Sequence, residues 1–328
     1  MRSLLPLRLT LLAASTLLVT LVARADSETK RYVIIHSDDA GMSHSVNKAT
    51  IEGMEQGVVS SASIMVPCPW FPEFATYARE HPEKDFGIHL TLNSEWKQYR
   101  WPPVAPRHKV ASLVNKQGFL WGNTRQVAGN AKASEVEIEL RAQIDRALEF
   151  GVPLTHLDTH MGALFTRPDL VEVYVNLGIK YNLPVLFIRT PSPRITKSYP
   201  ALAERCKELV DALDDRQFPV LDKIFQYYTD GEYDKRKQIY LDELRKLKPG
   251  VSEIIIHCGY NNDELGAITG SAPLRDSDRR IFTDPEVMTE IEKLGIEVIT
   301  WKQFHHMTSK QTAADTDAPQ EASSNNPQ

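Results

Sequence analysis

Short apolar runs alternate with stretches of helical periodicity from about residue 32 to residue 300. Residues 32–36 form a compact β-prone run, and the next stretch, 43–55, repeats its apolar positions at helical spacing, with Gly57 as its natural C-cap. A second strand is predicted at 61–66, a helix around 72–80, and a third strand at 87–92. Residues 96–129 mix polar, Pro and aromatic character and read as an insertion. A long helix over 135–150 follows, capped by Ser134 and ended by Gly151. Further strands at 154–158, 184–188, 218–221, 253–257 and 295–300 bring the total to about eight, with helices between them. Such alternation predicts an α/β fold with a parallel sheet and helices outside it. A count near eight suggests a (β/α) barrel, regular or distorted, in a single domain, with its chemistry at the C-terminal strand ends.

Composition adds bounds to this picture. The chain has 328 residues, 42% hydrophobic and 25% charged, which is ordinary for a globular protein. A net charge of −5, with no basic stripe, gives no reason to expect a nucleic-acid partner. At the N-terminus, Arg2 and Arg8 precede the apolar stretch 9–22, and Ala23-Arg24-Ala25 supplies small residues for cleavage. Residues 1–25 therefore read as a signal peptide of an exported, periplasmic or secreted protein, with no stable membrane insertion after removal. The catalytic domain is expected over 26–307, and 308–328 as a disordered tail poor in large apolar residues. Cys68, Cys206 and Cys258 are too few for a disulfide framework. The pattern specifies no oligomeric state.

The candidate chemistry lies at the strand ends. Asp38 and Asp39 follow the first apolar run, and adjacent carboxylates repel unless a cation or a moving proton lies between them. Three later runs each carry a histidine: His89 in Gly87-Ile88-His89, His156 and His160 in Thr155-His156-Leu157-Asp158-Thr159-His160, and His257 in Ile256-His257. An Asp with two or three His converging on one point is how a protein holds a divalent metal with positions open to water and substrate. His156 and Asp158 share a strand face; Asp158 reads as an orienting partner, while His156 is ambiguous between site and core. His36, His44, His81, His108, His305 and His306 read as surface or loop imidazoles.

Together these segments resemble the YdjC/ChbG-type carbohydrate deacetylases. Asp38-Asp39-Ala40-Gly41 is similar to that family's Asp-Asp-Phe-Gly, Gly87-Ile88-His89 to its Gly-x-His, and residues 155–160 to its Thr-His-x-Asp-Ser-His. Residues 58–66 and the late His257 also match in order and approximate spacing, so the likeness spans about 32–301. The resemblance implies a barrel-like deacetylase fold and removal of acetyl groups from N-acetylated amino sugars or oligosaccharides. It implies Asp39, His89 and His160 as metal ligands, Asp38 as general base, and His257 as a protonated general acid. Magnesium is the family's common metal, whereas an Asp-His-His set suits zinc, cobalt or manganese better on ligand softness. Ala40 replaces the family's Phe and would widen the pocket; Met161-Gly162 stand where relatives carry further histidines, and Cys258 where they carry Pro. Cys258, beside His257, reads as a packed thiol. Arg189, after the run at 184–188, is a candidate substrate contact, and Trp70, Trp96, Tyr99, Trp101 and Trp121 are candidates for a sugar-stacking platform or for loop anchors.

Two other readings compete. His156 and Asp158 with a distant His257 match the two-His-one-carboxylate set of a non-haem iron oxygenase, although that chemistry normally uses an all-β fold. A non-catalytic carbohydrate-binding protein on the same fold is the other, and the presence of both Asp38 and His257 argues against it.

Overall fold

A computed structural model describes residues 30–228 and 232–316. The expected signal segment at 1–25 and the last residues of the expected tail lie outside the described residues. Among the described residues, seven parallel strands form one sheet: β1 (Arg31–Ala40), β2 (Ser61–Ile64), β3 (Phe86–Leu90), β4 (Leu154–Thr159), β5 (Lys223–Gln226), β6 (Gly250–Ile256) and β7 (Ile296–Val298). Their order is β4-β3-β2-β1-β6-β5, and β7 pairs with Arg31–Val33 on β1, whereas β2 pairs with β1 only from His36 onward. Helices cover the sheet, among them His44–Gln56, Ala133–Glu149, Pro168–Tyr181 and Ala272–Phe282.

The strands expected at 184–188 and 218–221 do not form as regular elements. Two isolated parallel bridges stand there instead, Leu157 with Val185 and Ile188 with Leu221, and regular pairing resumes only at β5. The β4 and β5 edges of the sheet are thus joined through one thin segment, which makes the barrel a distorted one. Pro184 and Pro191 bracket this segment and supply no backbone donor to a ladder. At the far end, helix Trp301–Thr316 runs past the tail boundary expected at Met307. Met307 itself packs on the inner apolar cluster, which holds the chain in register for helix continuation. Among the described residues no helix is long and apolar enough to cross a membrane.

Strand alternation sorts the side chains into two cores. Val33, Ile35, Ala62, Ile64, Ile88, Leu157, Ile254 and Ile256 belong to the large cluster under the helices. Ile34, Val251 and Ile255 belong to a small second cluster with Leu186, Leu221 and Trp301, inside the ring of strands. His36 and Asp38 continue the Ile34 face of β1, and Glu253 lies between Val251 and Ile255 on β6. The inner face is therefore apolar at its base and ionisable toward the C-terminal strand ends. Ala40 packs in the outer cluster, so its small side chain does not widen the pocket as expected.

One buried ion pair anchors the β6 end. Asp278, on helix Ala272–Phe282, binds Arg236 through two contacts, Nε to Oδ1 at 2.6 Å and an Nη to Oδ2 at 3.0 Å. It also accepts from Tyr240 Oη and from the backbone N–H of His257. Substituting Asp278→Ala strips a buried guanidinium of its carboxylate and is expected to cost about 3–5 kcal/mol. The exposed Arg189–Asp214 pair provides the contrast, and Asp214→Ala should cost about 0–1 kcal/mol. Urea unfolding of both variants checks this, and equal losses would refute the distinction.

Candidate active site

β1 delivers both carboxylates to one place by breaking its own alternation. Asp38 faces inward with Ile34 and His36, so a regular strand would turn Asp39 outward. Instead the β1–β2 register shifts between Ser37 and Ala40, and Asp39 adopts a left-handed backbone with φ of 71°. Asp is one of the few residues that tolerates this region, and a bulge of this kind re-aims a side chain. Asp39 Oδ1 then lies 3.4 Å from His89 Nε2 and 3.3 Å from His160 Nδ1.

Each of those imidazoles uses its other nitrogen on a carboxylate. His89 Nδ1 donates to Asp158 Oδ1 at 2.6 Å, and His160 Nε2 to Glu95 at 3.1 Å. Carboxylates behind the imidazoles fix both rings so that their remaining nitrogens face Asp39, the arrangement found around metal-ligating histidines. One ligand atom from each of Asp39, His89 and His160 falls within 4.8 Å of the others. Asp39 Oδ1 is buried and lacks an aligned hydrogen bond, while Oδ2 accepts from Arg275 at 2.6 Å. An oxygen left open between two oriented imidazoles fits a divalent cation. Burial pushes the Asp39 carboxyl up, but Arg275 and His160 outweigh it and hold the group well below the usual carboxylate range. Burial opposes a charge on His160 too, yet Glu95 and Asp39 lift it to about 10, so this anionic nest attracts positive charge.

Asp38 sits beside this triad, its Oδ2 3.7 Å from His89 Nε2 and 3.8 Å from His257 Nε2. Burial lifts its carboxyl to about 6, against the pull of His89. Burial also lowers His257 to about 3, so its ring is neutral at rest and not the standing proton donor expected above. Asp158 behaves oppositely: burial raises it, and His89 and His36 bring it well below its ordinary value.

His36 corrects the sequence reading. Far from a loop imidazole, it is wholly buried under the site. Ser61 Oγ donates to Asp85 Oδ1 and therefore accepts from His36 Nδ1 at 3.0 Å. His36 Nε2 meets Asp158 Oδ2 at 3.1 Å and Asp38 Oδ1 at 3.3 Å. Both ring nitrogens thus donate, which is the imidazolium form; burial opposes that charge, but Glu253 and Asp158 raise the group to about 9. The signal was present in the sequence, since His36 lies two residues before Asp38 on the same face. Glu95 and Arg275 were also missed. Each reaches the site from a loop or helix with no pattern linking it to the strand ends.

His156 is a core residue of the barrel interior. Its ring stacks on Trp301 at 5.2 Å and meets His36 edge-on at 5.1 Å. Gly87 of the Gly-x-His segment exists for this ring, because a Cβ there would stand 2.3 Å from His156 Nε2. His156 and His257 share no ligand cluster among the described residues, and the sheet is parallel and helix-covered, so the oxygenase reading is set aside. Arg189 is not brought to the site. Ile188 lines the adjoining cavity, which turns its neighbour outward to Asp214. Trp101 is fully buried, with Nε1 donating to Asn93 O, and serves as a loop anchor. Trp96, Tyr99 and Trp121 pack partly buried around the insertion, and Trp70 is exposed beside His44. Cys258 is a buried thiol pushed up to about 12 by burial, as a packing residue should be.

The fold and this cluster define a class of protein: a parallel α/β domain with an Asp-His-His nest and a second carboxylate at the strand ends. Residues 32–293 match the model of the YdjC-like proteins, and the chain belongs to that family. It is 31% identical to a carbohydrate deacetylase of Thermus thermophilus over 83% of this chain and 93% of that one. It is 29% identical to a carbohydrate deacetylase of Thermoanaerobacter pseudethanolicus over 81% and 96%. Among solved structures, a candidate cellobiose-phosphate cleavage protein of Enterococcus faecalis superposes with a TM-score of 0.70 at 26% identity, covering 84% of this chain and 99% of that one.

Glu253 gives this interior a measurable pH signature. It is fully buried, neither carboxylate oxygen has a hydrogen-bond partner, and burial raises it to about 8. Between its ordinary 4.5 and about 8 the folded state binds more proton at this group than the unfolded chain, so its contribution to stability falls as pH rises. His36, raised from 6.5 to about 9, acts in the same direction over its own window. In Glu253→Gln the loss of stability from about pH 5 to 8 should be shallower than in the native protein. Denaturation midpoints across that range provide the check, and an unchanged slope would remove Glu253 from the account.

Proposed function

We propose that the chain is a metal-dependent hydrolase that removes acetyl groups from N-acetylated amino sugars or oligosaccharides. The observation that carries this reading is the open Asp39 Oδ1 facing two imidazoles, each backed by a carboxylate, with Asp38 alongside. The names of the relatives in Thermus thermophilus and Thermoanaerobacter pseudethanolicus supply the substrate class.

Asp39, His89 and His160 would hold a divalent ion, which supplies Lewis acidity toward an amide carbonyl and lowers the pKa of water. An Asp-His-His set favours zinc, cobalt or manganese on ligand softness, while family likeness favours magnesium. Arg275 fixes Asp39 through Oδ2 and leaves Oδ1 for the ion. Asp38 takes a proton from the attacking water. A carboxyl raised to about 6 combines ionisation near neutrality with real basicity, which suits a general base. His257, neutral at rest, lies 3.8 Å from Asp38 Oδ2 and passes that proton on to the departing nitrogen. His36 supports Asp38 and Asp158 from below as a fixed cation. The apolar stretch at 9–22, read as a signal peptide, supports an exported compartment for the enzyme.

Acetate release from a panel of N-acetylated oligosaccharides, with several divalent metals, tests the reading. Asp38→Asn is expected to lower turnover by about 10²–10⁴-fold with metal binding retained. Asp39→Ala should lose metal binding and turnover together. Normal turnover by Asp38→Asn would end its assignment as the base.

A further inference from the structure

A cavity of about 500 Å³ opens directly onto Asp38, His89 and Asp158. Its walls are Leu186 and Ile188 from the thin bridging segment, Ile195 and Leu202 from two flanking helices, and Ile224 and Ile255 from β5 and β6. Thr159, Ser192, Gln226 and Tyr228 are the polar residues among the remaining lining. An acetyl methyl is about the size of one water molecule, roughly 30 Å³, so acetyl leaves nearly all of this space unused.

The two arms of a scissile amide meet different surroundings here. Glu95, which holds His160, immediately precedes the insertion, and the insertion carries the aromatic cluster of Trp96, Tyr99 and Trp101. None of the residues from 93 to 121 lines the cavity. The cavity is therefore built from elements other than the insertion. A hydroxylated sugar placed among Leu186, Ile195, Leu202 and Ile224 would leave several hydroxyls without partners, which is costly. An alkyl chain placed there gains from burial with each methylene. The sugar arm thus belongs toward the insertion, and the acyl arm in the cavity.

We propose that the cavity is an acyl-chain site, and that the preferred substrates are amino sugars N-acylated with linear aliphatic chains longer than acetyl. This rests on the hydrolase reading above and refines its acyl group. In the reaction the amide C–N bond breaks, the water oxygen bonds to the acyl carbon, and both water protons end on the nitrogen, which leaves as an ammonium. The products are the free amino sugar and a medium-chain carboxylate, with no further reactant.

The test compares N-acetyl-, N-butanoyl- and N-hexanoyl-glucosamine and the corresponding chitobioses, incubated with the metal-loaded full chain and read as free amine. Binding of the acetyl and hexanoyl compounds to Asp38→Asn is measured in parallel. We expect kcat/KM to rise by about fourfold per methylene, and the hexanoyl compound to bind Asp38→Asn at least about tenfold more tightly than acetyl. Ile195→Trp and Ile224→Trp fill the cavity from opposite walls. In both, the hexanoyl-to-acetyl ratio should fall by at least about tenfold, and because it is a ratio within one protein, partial loss of folded material does not mimic it. Turnover of acetyl with rejection of hexanoyl would overturn the acyl-chain site and leave deacetylation standing. Tighter hexanoyl binding with no turnover of any compound would support the site and sink the hydrolase reading. Neither turnover nor a binding preference would overturn both.

Discussion

The structure depends on keeping several carboxylates charged, or protonated in a controlled way, inside one small ring of strands. Asp38, Asp39, Asp85, Asp158 and Glu253 are all buried. A carboxylate removed from water with too little compensation takes up a proton, and burial pushes Glu253 up to about 8 against the pull of His36. Two cations from distant parts of the chain offset that cost at Asp38, Asp39 and Asp158. His36 spans Asp38 and Asp158 from beneath, and Arg275 holds Asp39 from a helix more than two hundred residues away in sequence. Opposite compensation gives neighbouring acids opposite characters: Asp39 is held ionised by Arg275, whereas Asp38 is lifted toward neutrality. The proposed division between a ligand, Asp39, and a base, Asp38, rests on that difference.

The same frame makes the site asymmetric. The segment after β3 brings Glu95 and a set of aromatic rings to His160, and it closes one side with polar and aromatic groups. On the other side, the sheet fails to complete regular strands between β4 and β5. That failure leaves room between the strand ends and helices Pro193–Ser198 and Pro200–Asp214, and the room is lined by aliphatic side chains. The distortion of the barrel and the apolar cavity are thus one feature seen from two directions. A regular ladder at 184–188 would draw these walls together.

Much of the fold and of the site was legible in the sequence, and the boundary of legibility has a physical origin. Apolar runs at 32–36, 61–66, 87–92, 154–158 and 253–257 correspond to strands because a parallel strand buried on both faces must be apolar or internally paired throughout. Runs at 184–188 and 218–221 look alike in composition, yet they pair only through single bridges. Whether a run becomes a strand there depends on the space left between β4 and β5, which is not a local property.

The sequence by itself determined the parallel α/β class, the order of the strands' chemical cargo, and the convergence of Asp38, Asp39, His89, His160 and His257 at the C-terminal ends. Placement at strand ends follows from element order, which is local, although Asp39 faces the others only because β1 breaks its alternation there. Only the tertiary structure decided that His36 is an imidazolium in the site while His156 stacks on Trp301. It alone showed that Arg189 turns away to Asp214, that Arg275 and Glu95 complete the nest, and that an apolar cavity adjoins Asp38. A histidine's sequence neighbours fix which face of a strand it occupies. Its charge and its partners are set by groups that meet it across the fold, and their sum exists only once the chain has closed.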